Sequence, residues 1–252
     1  MATHSFRITR SGGEAAAGRT SLGSVRSYEV ELDERMTVLD GLVQIQREKD
    51  SSLAFRCSCR VGMCGTCAML VNYEPRLACQ TRVAPLKSSV IHIAPLDHLP
   101  VIKDLVVSLE PFFDKWKQVK PALHPAKKDA KELAIVPPDS EFGQQAQGKR
   151  DCITCGACYS ACSITGSNSK YLGPAAINRG LLRLLDPRDN AVDERVEVLN
   201  AEQGVWRCHT QFNCVAACPK GINLTDSIVR LKRAMLKPKT AFHGKLAAAG
   251  NS

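Results

Sequence analysis

The sequence predicts an α+β protein made of two modules of different class, a small mixed module followed by an all-helical one. Short alternating apolar stretches surround a single helical period in the first hundred residues, whereas past about Arg150 the periodicity is helical throughout. A third observation, twelve cysteines in a chain of 252 residues, marks where the chemistry lies.

Residues 1–26 are rich in Arg, Ser and Ala with a single acid, Glu14, so an organellar transit peptide competes with a structured N-terminus. Structure is the better reading. Phe6 and Ile8, then the alternation of Tyr28, Val30 and Leu32, suit two strands around a turn at Gly12 and Gly13, and cleavage would remove the first strand. Thr37 is an N-cap candidate for a helix whose one face carries Val38, Leu39, Leu42, Val43 and Ile45. Further strands are expected at 68–71 and 90–94, with a hairpin turn at 72–75 leading into 76–79, and Pro95 and Pro100 close the module. Residues 101–119 read as a helix with Ile102, Leu105, Val106 and Leu109 on one face, kinked or interrupted at Pro111. A connector with four prolines and a Lys-rich patch spans 121–138 and continues, Gln- and Gly-rich, to Gly148. Helical periods then return at 177–185 and 228–236. The expected domains are 1–119, a linker 120–148, and 149–252.

A composition of 44% hydrophobic and 23% charged residues excludes disorder and collagen-like repeats. The formal charge is +9, but aromatics at 5% are too few to interleave a nucleic-acid-binding patch. The charge is localised: residues 115–150 hold eight basic and four acidic side chains, and 220–245 seven basic and one acidic. These segments suit a solvated linker and tail, or a docking surface for an acidic partner or anionic lipid. No apolar run approaches the roughly 18 residues needed to span a bilayer, so membrane contact must come through a partner. A secreted disulfide framework would need a short domain behind a signal peptide, which points instead to a reducing cytoplasm.

Cys59, Cys64, Cys67 and Cys79 form C-x4-C-x2-C with a fourth cysteine farther on, the plant-type 2Fe-2S spacing. Gly62 and Gly65 free the loop to aim backbone N–H groups at cluster sulfurs, and Thr66 adds a hydroxyl. Four thiolates also suit zinc, whose usual spacing is C-x2-C twice, which the x4 gap fits poorly. Cys152, Cys155, Cys158 and Cys162 form the C-x2-C-x2-C-x3-C run, whose fourth cysteine ligates the other cluster of a pair. The second set is Cys208, Cys214 and Cys218, followed by Pro219, with Gln211 where the run requires cysteine. Crossing the fourth ligands assigns Cys152, Cys155, Cys158 and Cys218 to a 4Fe-4S cluster. Cys162, Cys208 and Cys214 are left for a cluster with one open corner, which rests as 3Fe-4S unless Gln211 oxygen or solvent supplies that corner. The spare cysteine is Cys57, either a small loop residue or a substitute for Cys59. His209 is a candidate for tuning or proton relay beside Cys208, or a plain polar loop residue. Trp116 and Trp206 read as packing anchors.

Ser58-Cys59-Arg60, the run from Gly62 to Cys67, Leu77-Ala78-Cys79 and Asp104-Leu105-Val106-Val107 resemble the N-terminal half of the iron-sulfur subunit of succinate dehydrogenase and fumarate reductase. Gly173-Pro174-Ala175, Asp186-Pro187-Arg188-Asp189 and Cys218-Pro219-Lys220-Gly221 resemble its C-terminal half. The resemblance implies a β-grasp, plant-ferredoxin-like domain followed by an all-α bacterial-ferredoxin-like domain. It also implies a flavoprotein partner with FAD, a cytochrome b-type membrane anchor, and quinone, with electrons passing through 2Fe-2S, 4Fe-4S and 3Fe-4S in order. The same module could serve another flavoprotein dehydrogenase, and a rival of a different class is a basic, zinc-stabilised binding protein. Many quinone-linked members carry Pro, Ser and a Trp after the fourth cysteine of the run, where this chain has Ser163, Ile164, Thr165, Gly166 and Ser167. That departure favours a haem-bearing anchor with a remote quinone site. Tyr73 stands where the family often has Gly, and Val61 where it often has Glu.

Overall fold

The computed structural model describes residues 2–11, 23–125 and 135–236. The turn expected at Gly12 and Gly13 lies outside the described residues, as do Lys127, Lys128 and Lys131 of the connector and Lys237, Lys239 and Lys245 of the tail. The chain divides into two compact units, one of Met1–Pro111 with Ile153–Ala161, the other of Phe112–Cys152 with Cys162–Ser252.

In the first unit, β1 (Ala2–Thr9) and β2 (Val25–Leu32) pair antiparallel, as their alternation predicts, and Phe6, Ile8, Val30 and Leu32 point into the core. Helix α1 (Val38–Glu48) follows Thr37, whose hydroxyl accepts the Asp40 N–H while the Asp40 carboxylate accepts the Thr37 N–H, a reciprocal cap. Val38, Leu39, Leu42 and Ile45 are buried and Val43 is half-buried, so the expected face is the one that packs. Gly41 lets the helix approach β1, because a Cβ there would lie 2.5 Å from the Phe6 ring. Strands β3 (Ala68–Val71), β4 (Glu74–Leu77) and β5 (Val90–Ala94) complete a sheet of order β2-β1-β5-β3-β4, with β1 and β5 parallel at its centre. This is the β-grasp arrangement. The β3–β4 turn is Asn72-Tyr73, both at positive φ (50° and 67°), the geometry of a tight two-residue hairpin. Tyr73 tolerates it while stacking on His92, with ring centroids 5.3 Å apart.

The helix expected over 101–119 is only partly formed. Residues 101–107 instead make a small hairpin, β6 (Val101–Lys103) with β7 (Val106–Val107), turned at Asp104 with φ 48°. The Asp104 carboxylate is buried and accepts the N–H groups of Ser11 and Ala54, and Arg10 pairs with it at 3.0 Å. These long-range contacts outweigh a helical apolar spacing made largely of β-branched residues. Helix α2 (Glu110–Gln118) begins only afterwards, with Pro111 in its first turn, where the missing N–H costs nothing.

The connector contains α3 (Glu141–Ala146), capped by Ser140, whose hydroxyl accepts the Gly143 N–H. Helix α4 (Ala157–Ser160) belongs to the first unit, and α5 (Ser163–Ser167) opens the stretch that rejoins the second. Helices α6 (Pro174–Leu185), α7 (Val192–Asn200), α8 (Asn213–Ala216) and α9 (Leu224–Met235) follow. Ile177, Leu181 and Leu184 of α6, Val196 and Leu199 of α7, and Ile228 and Leu231 of α9 share one core with Val119, Tyr171 and Val205. Arg195 is fully buried on α7, where it pairs with Asp189 and donates to the carbonyls of Val119, Lys120 and Ala122. That network ties the end of the Asp186-Pro187-Arg188-Asp189 motif to the chain after α2. Among the described residues no helix is long and apolar enough to cross a membrane.

Candidate metal centres

All twelve cysteines lie within the described residues and carry free thiols. Cys59, Cys64 and Cys67 occupy the loop between α1 and β3, and Cys79 follows β4. The β3–β4 register pairs Ala68 with Leu77, and the Ala78 N–H donates to the Cys67 carbonyl at 3.1 Å, so the hairpin carries the two buried thiols together. Gly62 and Gly65, at φ 73° and 74°, turn the loop around Cys59, whose sulfur accepts N–H groups from Met63 at 3.2 Å, Cys64 at 3.3 Å and Val61 at 3.5 Å. The Thr66 hydroxyl lies 3.2 Å from the Cys64 sulfur.

The thiols stand as two pairs, Cys59 with Cys64 and Cys67 with Cys79. The Thr66 hydroxyl and then the groups of Cys59 pull the Cys64 thiol down to about 6, whereas burial pushes Cys67 up to about 12. A buried pair of thiols can be ionised together only where a cation neutralises them. The buried pair Cys67 and Cys79 with the half-buried pair Cys59 and Cys64, the latter supplied with N–H donors, fit a 2Fe-2S cluster, in which each iron takes two cysteines. Among the described residues no group of three or more His, Cys, Asp or Glu side chains converges on one ion position.

In the second unit, Cys162, Cys208 and Cys214 open on one cavity with Ile164, Tyr171, Pro174, Gln211, Thr225 and Ile228. Thr210 N–H donates to Cys208 Sγ at 3.3 Å, and the Thr225 hydroxyl lies 3.7 Å from Cys214 Sγ. Burial pushes the thiols of Cys162 and Cys214 up, again the condition a cationic cluster core relieves. Burial likewise pushes the Tyr171 phenol up, helped by the three cysteines around it, and its hydroxyl hydrogen-bonds Cys208. Lys232 on α9 donates to the Cys208 carbonyl at 2.7 Å.

The loop carrying Gln211 keeps the shape of a cysteine loop. Two and four residues past Cys152, Thr154 and Gly156 have φ 53° and 81°, and two and four past Cys208, Thr210 and Phe212 have φ 58° and 62°. Gly156 and Phe212 each cap a single-turn helix, α4 and α8. Gln211 therefore occupies the position equivalent to Cys155, and its Oε1 accepts the Ser163 hydroxyl at 2.5 Å. His209 is exposed at the rim of the cavity.

Of the remaining cysteines, Cys155 and Cys158 lie on the segment that packs within the first unit, and Cys152 and Cys218 fall in the second. Cys158 is buried on α4, and the Cys218 sulfur accepts the Ile222 N–H at 3.4 Å. Within the first unit, a Cβ at Gly65 would sit 2.6 Å from Cys155 Cβ, so the bare backbone of one cysteine loop touches the next. Cys57 is half-buried. Trp116 packs against Phe112 and under the Arg179 guanidinium, and Trp206 is partly exposed with its indole N–H donating to Asn200. Sequence reading missed Tyr171, Thr225 and the Ser163–Gln211 bond, since no spacing rule links residues that only the fold brings together.

A β-grasp unit with paired thiols and a helical unit with paired cysteine loops define an iron-sulfur electron carrier of α+β ferredoxin-like build. Residues 5–114 match the 2Fe-2S iron-sulfur cluster binding domain, and residues 148–222 the 4Fe-4S dicluster domain. The chain is 38% identical over 216 residues to a fumarate reductase iron-sulfur subunit of Mycobacterium tuberculosis, covering 84% of this chain and 86% of that one. It is also 38% identical over 215 residues to a mitochondrial succinate dehydrogenase [ubiquinone] iron-sulfur subunit of Oryza sativa subsp. japonica, covering 84% and 76%. Among solved structures, a chain of the Mycobacterium smegmatis Sdh1 complex in the apo form superposes with a TM-score of 0.81 at 27% identity, covering 92% of this chain and 95% of that one. The chain belongs to the family of iron-sulfur subunits of succinate dehydrogenase and fumarate reductase.

Proposed function

We propose that this chain relays single electrons between the FAD of a flavoprotein subunit and a membrane anchor with its quinone, within a succinate:quinone oxidoreductase. The observation that carries the proposal is the arrangement of the thiols: two pairs in the first unit and a three-cysteine cavity in the second. The proposed 2Fe-2S ligands are Cys59, Cys64, Cys67 and Cys79. The 4Fe-4S ligands are Cys152, Cys155, Cys158 and Cys218, and the 3Fe-4S ligands Cys162, Cys208 and Cys214. The clusters split the two-electron chemistry of a flavin into one-electron steps.

The chain's own residues hold and insulate these centres. N–H groups of the loop around Cys59 stabilise thiolate charge, and the apolar wall of Ile164, Pro174 and Ile228 keeps the third centre in a low dielectric. Val61 and Met63, exposed beside the first centre, suit the flavoprotein face, and Trp206 and Phe212, exposed near the third, suit the anchor face. The functional division follows as residues 1–119 and 149–252 around a linker, 120–148. The place of action is the inner face of a bacterial plasma membrane, reached through an anchor that carries haem.

The test is purification of the complex with its native flavoprotein, followed by succinate addition under electron paramagnetic resonance. Succinate-dependent reduction of the 2Fe-2S signal, with a three-iron signal in the oxidised state, is the expected result. Reduction by a different substrate, with none by succinate or through the fumarate couple, would assign the chain to another flavoprotein dehydrogenase.

A further inference from the structure

Tyr171 is among the largest fully buried side chains of the protein, and it lines the cavity onto which Cys162, Cys208 and Cys214 open. Its ring packs in the helical core with Leu172, Ile177 and Ile228, a task that phenylalanine would perform equally well. The hydroxyl is what needs explaining, because a buried O–H costs free energy unless it finds an acceptor. Its acceptor is the sulfur of Cys208. An ordinary phenol ionises near pH 10, so this group is a donor throughout the physiological range.

Adding an electron to a thiolate-bound cluster increases negative charge on its sulfurs. A donor aimed at one of them therefore stabilises the reduced form more than the oxidised one and raises the potential. The donor itself is buried, and Ile164, Pro174 and Ile228 form the apolar part of the cavity lining beside it, which lowers the local dielectric and strengthens the bond. Cys162 has donors of its own, the N–H groups of Ile164 and Thr165 and the Thr165 hydroxyl. Cys214 has a hydroxyl no closer than that of Thr225 at 3.7 Å, whereas Cys208 also receives the Thr210 N–H at 3.3 Å. Cys208 thus takes a backbone N–H and the Tyr171 hydroxyl together.

We infer that Tyr171 is a positioning residue for electron exit, whose O–H, donated to Cys208 Sγ, raises the reduction potential of the cluster held by Cys162, Cys208 and Cys214. The inference rests on the ligand assignment proposed above and adds the residue that makes this centre the preferred resting place of the electron.

The experiment is an equilibrium redox titration of the assembled complex, followed by electron paramagnetic resonance, in the parent protein and in Tyr171→Phe. The variant should keep its iron content and reduce this one centre about tenfold less readily, which for a one-electron couple is about 59 mV more negative. The midpoints of the other centres should stay in place. An unmoved midpoint at this centre overturns the inference. If Tyr171→Phe fails to hold its cluster, a trifluorotyrosine introduced at position 171 supplies a stronger donor. The midpoint must then rise, and no rise overturns the inference equally. A four-iron signal from this centre in the parent complex would sink the three-iron assignment alone, and the same variants titrated on that signal would still decide the role of Tyr171.

Discussion

Gln211 stands three residues past Cys208, as Cys155 stands three past Cys152, and the backbone around the two is the same. What differs is the side chain, and Ser163 holds its oxygen at 2.5 Å. Replacing it by cysteine restores a fourth thiolate on a loop already shaped for one. Gln211→Cys should therefore convert the proposed three-iron centre into a four-iron one and add one iron per complex, measurable by paramagnetic resonance and iron analysis. In the first unit, Asp50 accepts the hydroxyls of Ser52 and Tyr28 and an Arg10 N–H, and these hold its carboxyl well below the usual carboxylate range. A depressed carboxylate stabilises the fold fully above its unfolded value of about 3.9 and ceases to do so as pH falls below it. Asp50→Asn should lower the urea midpoint at neutral pH and flatten its decline between about pH 4 and pH 2. A variant as pH-sensitive as the parent would count against the network.

At the scale of elements, the cysteine loops depend on backbone conformations that few residues accept. Gly65 is at φ 74° and also faces Cys155, so a side chain meets both strain and a clash at 2.6 Å. Gly65→Ala should cost about 1–2 kcal/mol in backbone strain alone and diminish the 2Fe-2S signal. The visible spectrum and a thermal melt of the complex would register both losses. Most elements were legible beforehand. Thr37 with its capped helix, the hairpin strands and the helices α6 and α9 announced themselves through local period and cap chemistry. The hairpin at 101–107 did not, because Asp104 takes its partners from Ser11 and Ala54, 93 and 50 positions away. Helix α3 was hidden for the opposite reason: six residues are too short to show a period.

For the whole molecule, charge and exposure point to life in an assembly. With the eleven thiolates and oxidised cluster cores proposed above, the formal +9 would fall to about +3, so that the basic linker and tail would stand out against a nearly neutral body. Val61 and Met63, 65% and 62% exposed, and Phe212, 56% exposed, are apolar groups beside the candidate centres. Expressed without partners, the chain should aggregate or lose clusters. Co-expressed with a flavoprotein and anchor, it should carry about nine iron and ten sulfide. Size-exclusion chromatography with metal and sulfide analysis separates these outcomes, and a monodisperse, fully loaded monomer would contradict the expectation.

The sequence by itself determined the spacing of the cysteine runs, that glutamine and not cysteine stands at position 211, and the order of a mixed module before a helical one. These are properties of spacing, and spacing is preserved whatever the fold does with it. Only the tertiary structure decided that Cys67 lies beside Cys79 and Cys155 against Gly65, and that the Tyr171 hydroxyl is spent on Cys208. Such contacts arise where a strand register, a helix packing and a loop conformation meet, and their energies depend on burial. A sequence carries the residues that make them, whereas the distances and the dielectric that give them chemical effect exist only in the folded chain.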